Sequence, residues 1–140
     1  MKQITHDMIE IFKINKLKYD FMGYTFKRTN ELSFHHLVVP KRECKAQGLG
    51  DGYLFWNGAI LKQDTSHDYL HIIERIDRKR FEKITEILIY ENQMRKLDKE
   101  SLIRIRELLL EFEERYKYEE TKGSHRLIKS QYINNRIDLY

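Results

Sequence analysis

The sequence predicts an α+β fold, and three observations carry that prediction. Apolar residues recur at three- and four-residue steps near both ends of the chain. Short runs of aromatic and β-branched residues, separated by turn residues, lie between those ends. The stretch 34–74, FHHLVVPKRECKAQGLGDGYLFWNGAILKQDTSHDYLHIIE, gathers the residue types that sites are built from. It holds four of the six histidines, the one proline, tryptophan and cysteine, and four of the six glycines.

Residues 5–16 place Met8, Ile9 and Phe12, with Leu17 just after them, along one helical stripe, with Thr5 as the capping residue. Residues 19–27 are aromatic-rich and predict a strand. Thr29, Asn30 and Glu31 make a turn into a second strand over 32–39, paired with the first as a hairpin and stopped by Pro40. Residues 41–52 read as a glycine-rich loop, and 53–62 as an extended segment kinked at Asn57-Gly58, with Trp56 packed in the core. Thr65 or Ser66 caps a helix over 67–76. Residues 80–97 and 99–118 have helical periodicity, with Asp98 capping the second, and predict a helical hairpin. Residues 122–140 carry Lys122, Arg126, Lys129 and Arg136 against Asp138, and form a basic tail or an edge strand over 127–132.

At 140 residues the chain is sized for one core. It divides into a lead-in and histidine region over 1–78, the helical hairpin over 79–121, which packs on that region or on a partner, and the tail. With 41% hydrophobic and 34% charged residues it reads as a polar globular protein. No apolar run approaches the length of a membrane span, so no membrane partner is expected. The first residues, MKQITHDMIEIF, lack the apolar block of a signal peptide, so a cytoplasmic location is expected. Cys44, standing alone, excludes an intrachain disulfide and a multi-cysteine zinc site. The net charge of +4 is compatible with nucleic-acid binding and too mild to argue for it.

The histidines fall into two pairs. His67 and His71 stand at i and i+4, so on a helix both imidazoles face one spot. His35 and His36 are adjacent, so on a strand they face opposite ways. His35 or His36 can therefore complete a three-histidine metal site with His67 and His71, leaving positions open for water or phosphate. The other is then free to take a proton from water.

The order His-His, glycine-rich loop, Asn57, then His-x-x-x-His on a helix resembles the HNH endonuclease family, most closely its three-histidine branch, which includes the colicin-type nucleases. The resemblance covers residues 32–74. It implies a ββα-metal core, here with an N-terminal helix and β-hairpin before it and the helical hairpin after it. It makes His35, His67 and His71 the metal ligands and His36 the general base. It has Asn57 hold the base-bearing loop through backbone hydrogen bonds or sit near the metal. The chain lacks the paired cysteines of many HNH proteins, and its loop from His36 to Asn57 is longer than in the colicin nucleases.

By that resemblance the protein is a DNA endonuclease using one divalent ion: magnesium, manganese, nickel or zinc. The sequence offers no separate DNA-reading module, so nicking or weakly specific cleavage is expected. Its products carry a 5′ phosphate and a 3′ hydroxyl. Lys41, Arg42 and Lys45 lie where DNA phosphates would pass, though a solvated loop accounts for them equally well. Glu74 reads first as a surface carboxylate and second as a partner for an imidazole. Cys44 and Asp51 read as incidental and turn residues. The alternative function is an HNH-fold binding or inhibitory protein of phage or mobile-element type, acting on a protein partner through the C-terminal helices, which equally suit a homodimer. A histidine-bound structural zinc is a third possibility.

Overall fold

The computed structural model describes residues 1–116 and 136–137. Two N-terminal helices, a two-stranded antiparallel sheet and a set of C-terminal helices make an α+β architecture. The strands are β1 (Leu32–His36) and β2 (Gly58–Lys62), paired so that Phe34 faces Ile60, His35 faces Ala59 and His36 faces Gly58.

The hairpin expected between residues 19–27 and 32–39 does not form; β1 pairs with β2 instead. Residues 19–27 turn tightly around Asp20. Its Oδ1 accepts from the backbone N–H groups of Met22 (2.9 Å) and Tyr24 (3.0 Å). Its Oδ2 accepts from the N–H of Lys62 (2.7 Å) and from the Ser66 hydroxyl. A carboxylate that gathers nearby N–H groups offers the backbone an alternative to a sheet ladder. The aromatic residues Phe21, Tyr24 and Phe26 still enter the core, but from turns.

The first helix begins earlier than expected. α1 is Gln3–Ile11, with Lys2 at its N-cap and Thr5 buried inside it. Left-handed Lys13 (φ 57°) separates it from α2, Ile14–Leu17. The loop after β1 contains α3, Lys41–Cys44, and a 3₁₀ turn, Lys45–Gln47. The segment before β2 is a 3₁₀ turn, Phe55–Asn57, which turns Trp56 outward to 48% exposure. The expected core tryptophan is thus a surface residue.

A π turn, Gln63–His67, leads directly into α4, Asp68–Ile76. Ser66 does not cap α4, because its hydroxyl donates to Asp20 and it accepts from the N–H of Lys62 (3.0 Å). α5, Arg78–Met94, is capped by Asp77, whose Oδ1 accepts from the N–H of Arg80 (3.2 Å). α6, Lys99–Tyr116, follows Asp98, which accepts from the Ser101 hydroxyl (3.3 Å). Ile84, Leu88, Ile105, Leu109 and Phe112 lie in the same buried cluster as Phe34, Ile60, Leu70 and Ile73. Arg80 ties α5 to α6 through the Leu108 carbonyl (3.0 Å) and Glu111 (2.8 Å).

No helix among the described residues is long and apolar enough to cross a membrane. The edge strand considered over 127–132 lies outside the described residues, as do Lys122, Arg126, Lys129 and Asp138. Arg136 is described, and it is not a free tail cation: it pairs with Glu113 (3.6 Å) and bridges to Tyr24.

Candidate metal centre

Alternation along β1 sends His35 and His36 to opposite faces, and the two meet different surroundings. His35 is 4% exposed and faces His67, from the π turn, and His71, from α4. Ring centroids lie 5.0 Å apart for His35–His67, 5.4 Å for His35–His71 and 5.0 Å for His67–His71. One ligand atom from each comes within 4.8 Å of the others, so the three form a cluster able to coordinate a metal ion.

Hydrogen bonding shows which nitrogens are available. Nδ1 of His67 lies 2.8 Å from the Ser33 hydroxyl, which donates to the Leu61 carbonyl (3.3 Å). A hydroxyl with its proton committed accepts from Nδ1–H, which leaves Nε2 with the lone pair. Nδ1 of His71 lies 3.2 Å from Oε1 of Glu74, and a carboxylate accepts, so this ring also keeps its lone pair on Nε2. Nε2 of His35 is buried without a hydrogen-bond partner. Leaving such an atom unsatisfied costs roughly 1–3 kcal/mol, a penalty that a coordinated cation removes. Hydrogen-bond partners of this kind fix the tautomer and orientation of metal-binding imidazoles.

The electrostatics fit the same chemistry. Burial, reinforced by the neighbouring His67, His71 and His36, holds His35 well below the ordinary imidazole range. Burial lowers His67 to about 4, aided by His71 and His36. Both rings are therefore neutral at neutral pH, the form that binds metal.

His36 sits in an aromatic setting, edge-on to Phe34 (5.0 Å) and Tyr53 (4.9 Å). Its Nε2 lies 2.9 Å from the Asp51 carbonyl. A carbonyl can only accept, so Nε2 donates, and in the neutral ring the lone pair is on Nδ1. Gly52 (φ +77°) makes this approach possible. A side chain there would collide with Cys44 Sγ and press on the His36 ring.

Asn57 is fully buried and staples the loop. Its Oδ1 accepts from the N–H groups of Val38 (2.9 Å) and Val39 (2.8 Å), and its Nδ2 donates to the carbonyls of Val39 (3.0 Å) and Gly52 (3.2 Å). Of the two positions the sequence left open for Asn57, its side chain takes the one on the loop backbone.

The histidines open onto a cleft of about 1270 Å³. α3 and the residue after it line this cleft with Lys41, Arg42 and Lys45, and the α4–α5 junction lines it with Glu74 and Arg78. Lys41 Nζ reaches the Tyr53 hydroxyl (3.4 Å). Three sequence readings change here. Glu74 is a partner of His71 rather than a bare surface acid. Cys44 is not incidental, since its buried Sγ donates to the Pro40 (3.3 Å) and Val39 (3.4 Å) carbonyls inside the loop. Asp51 contributes its carbonyl to His36 as well as a turn. Sequence reasoning missed Ser33 and Arg78. Ser33 had a signal, because it lies two residues before His35 and so on the same face of the strand.

No family model, no curated protein and no solved structure matches this chain.

Proposed function

We propose that the protein is a metal-dependent HNH-type endonuclease that hydrolyses DNA phosphodiester bonds. The observation that carries this reading is the pairing of two histidine environments across one strand. On one side three imidazoles converge, one with an orphaned Nε2; on the other a single imidazole presents a free Nδ1. On this reading β1, the stapled loop, β2 and α4 are a ββα-metal core, α5 and α6 support it, and the described arrangement of His35, His36, Asn57, His67 and His71 serves catalysis.

The chain's own residues divide the work. His35, His67 and His71 would hold one divalent ion, with the Nε2 atoms left available by their hydrogen bonds. Bound there, the ion would supply Lewis-acid stabilisation of the charge that develops at the phosphate. His36 accepts a proton at Nδ1 from the attacking water while Asp51 fixes its ring. The water oxygen bonds to phosphorus, the P–O3′ bond breaks, and the 3′ oxygen leaves and is protonated by solvent. Asn57 keeps residues 37–39 and 52 in register, so His36 stays aimed. Lys41, Arg42 and Lys45 hold neighbouring phosphates electrostatically.

The test is a plasmid-nicking assay on metal-stripped protein with magnesium, manganese, nickel or zinc restored. Metal-dependent nicking is expected, with a loss of roughly 10²–10⁴-fold in His36→Ala, the range for removing a general base. Absence of cleavage with every metal, despite metal binding, would sink the nuclease reading. It would turn attention to a protein partner.

A further inference from the structure

Arg78 opens α5 and lines the same cleft as His67 and His71. Its Nη1 lies 3.2 Å from Glu74 Oε2 and its Nε 3.4 Å from Glu82 Oε1, with the side chain 64% exposed. The guanidinium rests 5.3 Å from the centre of the Phe81 ring. Exposed ion pairs of this kind are worth about 0–1 kcal/mol, so the arginine is held loosely.

The charge balance of the cleft shows what would draw it away. The three converging groups are imidazoles, which bring no negative charge to a bound metal, so a divalent ion there keeps its full charge, uncancelled by any ligand carboxylate. Among the described residues lining the cleft the acids are Asp51 and Glu74, and each already has a cation or an imidazole against it. An entering anion therefore meets a surplus of positive charge. A planar guanidinium binds phosphate oxygens through two parallel hydrogen bonds, a stronger match than single exposed contacts with one oxygen of each of two carboxylates. Glu74 is shared between Arg78 and Nδ1 of His71. Release of Arg78 leaves that carboxylate to His71 alone.

We propose that Arg78 is a phosphate-binding residue of this cleft, leaving Glu74 and Glu82 to grip the phosphodiester that lies against His67 and His71. The proposal rests on the nuclease reading and adds to it a substrate contact from outside the motif. It predicts that the α4–α5 junction, and not α3 alone, sets the affinity for DNA.

The experiment compares wild type, Arg78→Ala, Arg78→Lys and Glu82→Gln, each metal-loaded, on a short fluorescein-labelled DNA duplex. Cleavage, duplex binding by anisotropy across a salt series, and metal affinity by chelator competition are read together. In Arg78→Ala, kcat/KM is expected to fall about 10–100-fold, and the slope of log affinity against log salt to drop by about one, while metal affinity stays within about twofold. Arg78→Lys should recover the salt slope and part of the rate, and Glu82→Gln should bind the duplex as tightly as wild type or more tightly. A wild type that cleaves, with Arg78→Ala cleaving equally and showing the same salt slope, overturns the proposal and leaves the nuclease reading standing. A wild type that cleaves nothing removes the nuclease reading, and binding then decides. Equal duplex affinity for wild type and Arg78→Ala overturns the proposal, and weaker binding with the reduced slope upholds the phosphate contact.

Discussion

Two buried polar centres in this molecule are built on opposite terms. At Asp20 the carboxylate is saturated, with two donors on each oxygen, all from the chain itself. At His35 the imidazole is as deeply buried, yet its Nε2 has no partner and faces two further imidazoles. The first centre is structural: it coils residues 19–27 and holds the π turn through Ser66. The second leaves its interaction unfinished inside the protein. A buried polar group completed by the chain contributes to folding, whereas one left incomplete beside a cleft is prepared for something from outside. The two are linked, because the turn that Asp20 holds carries His67.

The sharpest way to break this contrast is to remove each group. Asp20→Ala strands the N–H groups of Met22 and Tyr24, leaves Lys62 N–H and the Ser66 hydroxyl with only their contacts to each other's residue, and should cost about 3–5 kcal/mol in urea unfolding of metal-free protein. His35→Ala removes an atom that was already unsatisfied and should cost under about 2 kcal/mol. Equal losses would erase the distinction.

The pH dependence of the histidine centre sharpens it. His67 is lowered to about 4 from an ordinary 6.5, so between those values the unfolded chain binds the extra proton. Its contribution is fully present above about pH 6.5 and is lost as pH falls toward 4. Metal-free wild type should therefore gain on His67→Gln by on the order of 2 kcal/mol from pH 4 to 6.5, measured by denaturant unfolding. Asp20 and Glu91 act in the opposite sense. Burial pushes both carboxyls up, against the four donors at Asp20 and with help from Asp20 and Asp98 at Glu91. Each contributes stability that is lost as pH rises through its raised pKa. Taking the difference between wild type and His67→Gln cancels these terms.

A smaller effect tests how the ligands are aimed. Ser33→Ala frees Nδ1 of His67 and should weaken metal binding about 10-fold, with little change in unfolding free energy. An unchanged affinity would mean that the Ser33 contact does not orient the ring.

The two centres also differ in how far the sequence revealed them. The histidine cluster was legible because its signals are local: adjacency on a strand for His35 and His36, and i,i+4 spacing for His67 and His71. Asn57 was legible as a loop residue, although its two possible positions were not distinguished. Asp20 was not legible, because the partners that matter lie 42 and 46 residues away, at Lys62 and Ser66. The aromatic run around it imitated a strand, and that mistaken strand then claimed β1 as its partner in place of β2. Trp56 was misread because a 3₁₀ turn, which hydrophobicity does not announce, rotates it to solvent. Arg78 lies beyond the motif, and its place beside the cleft depends on how α5 packs against α4.

The most direct test of the account is a titration of metal-stripped protein with cobalt, followed by its visible absorption, for wild type and His35→Ala. One ion per chain, with the bands of an imidazole-bound site in wild type and at least about 100-fold weaker binding in the variant, is the predicted result. Equal binding by the two proteins, or none by wild type, would contradict it.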